Sequence, residues 1–235
     1  MPVDHTTFLR RVQRYAPDFV LEGGSIDVDG EGTLLTTEEC LLNGSRNPHM
    51  SRAEIEHHLR EYLGVEKVIW LPCGVYLDET NGHVDNFARF VGPGRVMLTW
   101  TDDEHDPQYA ISAEALRILS HATDAQGRPL DITLIHQPGP IYITEDEAAG
   151  VDQVPGVQPR VAGERLAGSY VNSYIANGLV ILPVFDDDHD EAAVKAYEQL
   201  FVDRRIVTVP GREILLGGGN VHCITQQQPS GQRAS

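Results

Sequence analysis

A histidine and a carboxylate follow glycine in Gly82-His83-Val84-Asp85, and a cysteine follows a glycine run in Gly217-Gly218-Gly219-Asn220-Val221-His222-Cys223-Ile224-Thr225-Gln226-Gln227. These residue types suit a thiol nucleophile served by an acid/base partner, and such groups need to meet only in space, not in sequence. His83 and Asp85 stand at i and i+2, which on a strand places both side chains on one face. A carboxylate beside an imidazole orients it or holds its charge, as an acid/base group requires. Cys223 taken alone reads as an inert buried thiol. The glycines before it raise its interest, because glycine lets backbone approach a ligand closely. They do not read as a phosphate cradle, which needs a following helix and usually a lysine; a strand-like Val-His-Cys-Ile-Thr follows instead.

The other polar clusters have plainer explanations. Glu22, ahead of Gly23-Gly24, is a candidate cation ligand, with a surface carboxylate at a strand start as the plainer reading. Asp27-x-Asp29-Gly30 resembles the start of a calcium loop, but the later ligand positions are wrong and Asp29-Gly30 between apolar runs signals a hairpin turn. Asp102-Asp103-Glu104 and Asp186-Asp187-Asp188 precede helical patterns, where acidic residues complement the helix dipole. His57 and His58 are adjacent on a helical pattern and so face apart, which with His49 reads as a solvated face. No metal site is expected from any of these.

The elements that must position the cysteine and histidine form a repeat within a single domain spanning 1–235. Units at about 21–72, 80–136 and 166–210 each run glycine-led strand, turn, strand, helix and closing strand, and a fourth begins at 217–228. In the first unit, Ser51 and Glu54 form a capping box, Ile55, Leu59, Tyr62 and Leu63 give one apolar helical face, and Gly64 is the stop. The second helix carries Ile111, Ala115, Ile118 and Leu119, and the third carries Ala193, Tyr197, Leu200 and Phe201. A short helical stretch at Thr6 to Tyr15 precedes the array. Alternating strands and helices make this an α/β repeat protein, in which no unit buries its own faces alone. Arranged about an axis with the opening strands inward, the units bring His83, Asp85, Asn172 and Cys223 near one point. The long segment Gln137 to Gly163 reads as a lid over that axis, and the polar tail from Gln226 reads as frayed.

Composition narrows the partners. The 235 residues carry a formal net charge of -17, which argues against nucleic acid and anionic membranes; it reads first as a solvated acidic surface that aids solubility, and only weakly as a preference for a small cation. Cys40, Cys73 and Cys223 are odd in number, widely spaced and without a C-x-x-C pair, which fits a reducing compartment. The N-terminus lacks the apolar stretch of a signal peptide, and no apolar run approaches membrane-spanning length. A cytoplasmic protein is expected, with homo-oligomerisation left open.

Three stretches together carry a resemblance: Leu21-Glu22-Gly23-Gly24-Ser25-Ile26-Asp27-Val28-Asp29-Gly30-Glu31-Gly32-Thr33, Asp78-Glu79-Thr80-Asn81-Gly82-His83-Val84-Asp85-Asn86, and Gly217 to Gln227. They resemble agmatine deiminases, guanidine-modifying enzymes related to bacterial peptidylarginine deiminase. The resemblance implies a pentein-like fold, a pseudo-fivefold propeller of α/β blades, and covers nearly the whole chain. It implies that Cys223 is the nucleophile, His83 the general acid/base and Asp85 a ligand of the guanidinium. Glu22 would be a further acidic site residue and Asn172 a polar one. The implied reaction converts agmatine to N-carbamoylputrescine and ammonia, a step toward putrescine, without metal or organic cofactor. The alternatives are a deiminase of arginine or peptidylarginine, and an inactive fragment or binding remnant. The family's upstream segment, with a Trp and an Arg-Asp pair supplying a second guanidinium carboxylate, has no counterpart here. The propeller is therefore expected to be incomplete at its N-terminus.

Overall fold

Three units repeat one plan in the computed structural model, which describes residues 16–152, 155 and 159–227. The first comprises β1 (Ile26–Val28), β2 (Thr33–Thr37), α1 (Glu38–Leu41), α2 (Arg52–Leu63) and β3 (Lys67–Leu71). The second comprises β4 (Ala88–Gly92), β5 (Arg95–Trp100), α3 (Pro107–His121) and β6 (Asp131–His136). An excursion of β7 (Ile141–Tyr142), α4 (Glu145–Ala149) and β8 (Arg165–Leu166) leads to the third. That unit holds β9 (Tyr174–Ala176), β10 (Leu179–Val184), α5 (Asp190–Leu200) and β11 (Arg205–Pro210), followed by α6 (Arg212–Leu216). In every unit the central strand pairs antiparallel with the strand before it and parallel with the strand returning from the helix.

Local chemistry accounts for the repeat. The first hairpin turns where Asp29 Oδ1 accepts from the amides of Glu31 and Thr33 and Gly30 takes φ +80°. The capping box of Ser51 and Glu54 opens α2, and Gly64 closes it at φ +67°, a left-handed geometry that glycine adopts without steric cost.

Period two along the central strands then divides the core. Leu34 packs outward with Ile55 and Leu59 of its own helix. Leu35 faces the second unit, among Val96, Leu98, Ala115 and Leu119. Met97 faces the third, among Val180, Leu182, Ala193 and Tyr197. Adjacent units thus complete one another's cores, as the repeat requires.

A buried polar chain fastens the same units together. Asp27 of β1 accepts from Arg89 Nε at 3.2 Å and from the Phe90 amide at 2.6 Å, and Arg89 also donates to the Ser173 carbonyl. Burial raises the Asp27 pKa, and the charge of Arg89 opposes that shift.

The structure corrects the opening strands. Gly23–Ser25, Val84–Asn86 and His222–Ile224 are 3-10 turns, and 168–173 is irregular. Their carbonyls find side-chain donors in place of a strand partner. Thr36 donates to Ser25 O, Thr37 to Gly82 O and Thr99 to Asn86 O. Such substitutes satisfy the requirement that buried backbone groups be paired. The expected fourth unit shows no strand among its described residues, because Gly218 at φ +97° turns the chain out of extended backbone. Thr6–Tyr15 and the tail from Gln228 lie outside the described residues.

Candidate active site

The inner turns meet at a cavity of about 560 Å³ whose wall includes Asp78, Asp85, Asn86 and Cys223. Tyr142, Ile143, Pro159, Arg160 and Gly163, from the segment expected to be a lid, contribute to that wall. Arg160 pairs with Glu79 and Arg165 with Asp106, so both lining cations are already neutralised. The carboxylates of Asp78 and Asp85 leave the wall acidic, as a site for a small cation requires.

Cys223 sits in the middle of the His222–Ile224 turn, and Asn172 holds that turn in place. Its Oδ1 accepts the His222 amide at 2.8 Å, and its Nδ2 donates to Cys223 Sγ at 3.3 Å. A β-carbon on Gly219 would stand 2.9 Å from that sulfur. The glycine therefore admits the thiol itself rather than a ligand's backbone neighbour. Cys223 is exposed, yet the surrounding protein is dense enough to perturb its thiol. Desolvation first, and the Asp85 charge second, push its pKa up to about 11.

Asp85 is fully buried. Its Oδ2 pairs with His222 Nδ1 at 2.7 Å and lies 3.8 Å from Cys223 Sγ. Its Oδ1 is buried without a hydrogen-bond partner. Leaving a buried carboxylate oxygen unmatched is costly, so a ligand donor is the natural complement.

His83 stands on the other side of Asp85. The ring nitrogen Nδ1 and Asp85 Oδ2 lie 2.6 and 2.8 Å from the point where a β-carbon on Gly24 would be, so only glycine fits there. His83 Nε2 faces Glu22 Oε1 at 3.4 Å and has no hydrogen-bond partner. Glu22 is gripped by Arg46 through both carboxylate oxygens, and that hydrogen bonding lowers its pKa against an opposing desolvation.

The fold thus gathers all five expected residues, but not in one ring. Asp85, Asn172 and Cys223 form a contact group. Glu22 and His83 form another, and neither lines the cavity. Among the described residues no hydrogen bond joins His83 to Cys223. His83 and Asp85 do not share a strand face, because Asp85 lies in the 3-10 turn Val84–Asn86 and His83 is the residue that precedes it as N-cap.

Sequence reasoning missed five contributors, Asp78, Asn86, Asn220, His222 and Arg46. Asp78 accepts from Thr80 Oγ1 at 2.6 Å and Asn86 Nδ2 at 3.4 Å, and burial raises its pKa. Asn220 donates to Asn86 Oδ1 at 2.9 Å, tying the cysteine segment to the histidine segment. His222 and Arg46 complete the set. Asp78, Asn86, Asn220 and His222 all lie inside the stretches that carried the resemblance; Arg46, in the Gly44-Ser45-Arg46-Asn47-Pro48 turn, gave no such signal.

Comparison with known proteins bears on this arrangement. The profile of the Porphyromonas-type peptidyl-arginine deiminase family matches residues 3–229. The chain is 59% identical over 225 residues to an agmatine deiminase of Pseudomonas aeruginosa, covering 96% of this chain and 61% of that one. It is 58% identical over 226 residues to an agmatine deiminase of Pseudomonas fluorescens, covering 96% and 61%. Among solved structures, agmatine deiminase of Enterococcus faecalis superposes with a TM-score of 0.91 at 43% identity, covering 95% of this chain and 61% of that one. A substrate-bound cysteine-to-serine variant of the C. jejuni agmatine deiminase gives 0.81 at 29% identity, covering 97% and 61%. The chain therefore spans 61% of the length of each of these relatives.

Proposed function

The chain belongs to the Porphyromonas-type peptidyl-arginine deiminase family, and from that premise we propose that it provides the catalytic cysteine, histidine and carboxylates of an agmatine deiminase. The observation that carries this reading is the fully buried Asp85, whose Oδ1 lacks a donor while its Oδ2 lies 3.8 Å from the thiol of Cys223. A planar guanidinium offers several N–H donors and a positive charge, and so matches a carboxylate better than any neutral ligand. The relatives' names favour agmatine over arginine or a peptide.

The chemistry follows from the side chains. Asp85 anchors the guanidinium, with the central carbon presented to Cys223. The thiolate attacks that carbon. His83, protonated and facing Glu22 at 3.4 Å, gives its proton to one departing nitrogen, and ammonia leaves. The intermediate is an amidino group bonded to Cys223 sulfur. Neutral His83 then takes a proton from water, whose oxygen attacks the same carbon. Collapse expels the thiolate and leaves a ureido product carrying one oxygen from water. Asn172 Nδ2, 3.3 Å from sulfur, stabilises the thiolate at both ends of the cycle. The C. jejuni relative held substrate in a cysteine-to-serine form, as a thiol nucleophile would lead one to expect. A small cationic substrate, no nucleic-acid or membrane partner and a cytoplasmic setting belong to the same reading. The charge of -17 supports it, and no described helix is long and apolar enough to cross a membrane.

One observation favours a second reading, binding without turnover: His83 makes no hydrogen bond to Cys223, and it does not line the cavity. A single experiment separates the two. The chain is incubated with agmatine, and separately with arginine and an arginine peptide, in oxygen-18 water. Turnover of agmatine to N-carbamoylputrescine with one labelled oxygen and one equivalent of ammonia is expected. Calorimetric binding of agmatine with no ureido product establishes the second reading, and preferential turnover of arginine or the peptide overturns the choice of substrate.

A further inference from the structure

We propose that Glu22, Cys40 and His83 form an inhibitory site for a divalent cation of the zinc class, separate from the thiol of Cys223. One carboxylate oxygen, the Cys40 sulfur and one ring nitrogen of His83 lie within 4.8 Å of one another. His83 Nε2 and Glu22 Oε1 are 3.4 Å apart, about the separation of two ligands that each stand roughly 2.1 Å from a tetrahedral zinc. The Cys40 sulfur lies within 4.8 Å of both, against the roughly 3.6 Å that zinc–sulfur and zinc–nitrogen bonds at a tetrahedral angle would set.

A second observation points to a ligand at the same place. His83 Nε2 is buried and makes no hydrogen bond, in a residue that is only 9% exposed. An imidazole nitrogen left without a partner in the interior is expensive, and its lone pair is the usual zinc donor. The other two ligands are held in place. Cys40 is fully buried on α1, whose first turn is capped by Thr37 Oγ1. Glu22 is fixed by Arg46, which takes one lone pair of Oε1 through a 2.9 Å hydrogen bond and leaves the other.

Charge and softness select the ion. A thiolate and a carboxylate balance a dication; burial first, with Glu22, Asp78 and Glu39 against the charge of Arg46, pushes the Cys40 thiol up to about 12, so its proton is lost only as the metal binds. A sulfur, nitrogen and oxygen donor set suits zinc and its neighbours, not magnesium or calcium. Binding exchanges the S–H bond of Cys40 for a sulfur–metal bond and, where His83 Nε2 carries a proton, that N–H bond for a nitrogen–metal bond; the protons leave to solvent, and nothing is oxidised or reduced. The fourth position stays open for water. Because the metal takes the Nε2 lone pair, it withdraws His83 from proton transfer without touching Cys223. The inhibitory consequence rests on the acid/base role proposed for His83, whereas the binding does not.

The test reads binding directly. The full chain is titrated with cobalt(II) and then zinc(II), followed by absorbance. One equivalent of cobalt is expected to give a thiolate-to-cobalt charge-transfer band in the near ultraviolet, bleached by one equivalent of zinc. The band persists in Cys223→Ser, vanishes in Cys40→Ala, and in His83→Ala requires at least about 100-fold more cobalt. Circular dichroism establishes folding, and if Cys40→Ala does not fold, His83→Ala decides. A band that never forms in the parent chain, disappears in Cys223→Ser, or survives unweakened in His83→Ala overturns the proposal. Tight cobalt binding with unaltered turnover of agmatine would instead sink the assigned role of His83 and leave the site standing.

Discussion

Asp27, with a side chain 12% exposed, and Asp85, fully buried, are two carboxylates on neighbouring segments of the same interior, and they are treated differently. Asp27 sits between units, and each of its oxygens has a donor, from Arg89 and from the Phe90 amide. Asp85 sits between the inner turns, and one of its oxygens has none. The first arrangement is complete within the chain and fastens three units through Arg89 and Ser173. The second is complete only when something else supplies a donor. A buried polar group that is fully matched speaks for architecture, and one left half matched beside a thiol and an open cavity speaks for a ligand.

The largest expected effect tests whether the inner-turn region is chemical at all. Cys223→Ser should lower agmatine turnover by about 10⁴-fold or more, as loss of a nucleophile does, with the melting temperature unchanged because the residue is exposed. Turnover within tenfold of the parent would reduce the inner turns to a binding surface.

The next effect tests the other half of the contrast. Asp27→Ala strands the buried Arg89 guanidinium, and removing one partner of a buried ion pair costs about 3–5 kcal/mol. Chemical denaturation should show that loss. Asp85→Asn should change stability by no more than about 1 kcal/mol, yet weaken agmatine binding by about 10²–10³-fold, the range for truncating a buried charged partner. If the two variants proved equally destabilising, the distinction between matched and half-matched carboxylates would fail.

The two regions also differ in how far they could be read from sequence. The units were legible because their signals are local. The capping box of Ser51 and Glu54, Asp29-Gly30, and the apolar spacing of Ala193 and Tyr197 each act over a few residues, and each stands in the structure where expected. The site residues were legible by type and by resemblance, not by geometry. Four backbone segments crowd one centre, so strands give way to 3-10 turns, and threonine hydroxyls replace strand partners. No periodicity announces that exchange. Nor does sequence show that Arg46 grips Glu22, or that Asn220 reaches Asn86, because both contacts join residues far apart in the chain.

The smallest expected effect links the half-matched carboxylate to the nucleophile. The Cys223 thiol is pushed up to about 11, by desolvation first and by the Asp85 charge second, against hydrogen bonds from the Asn220 backbone and Asn172. A raised thiol pKa means a protonated, unreactive sulfur at neutral pH. A guanidinium seated on Asp85 Oδ1 places a positive charge beside that sulfur, and an opposite charge at such range favours the ionised form by roughly 1–3 pKa units. The substrate thus helps to generate its own nucleophile. The thiolate absorbance of the chain, less that of Cys223→Ser, gives the titration of this sulfur alone. Its midpoint should fall when an alkylguanidine that is not turned over is added. Asp85→Asn removes the second cause of the upward shift, so its midpoint should be lower from the outset and should no longer respond to the cation. A cation response that survives in Asp85→Asn would place the guanidinium elsewhere. An unmoved midpoint in the parent chain would mean that the Asp85 carboxylate and the sulfur, though neighbours, do not act on one another.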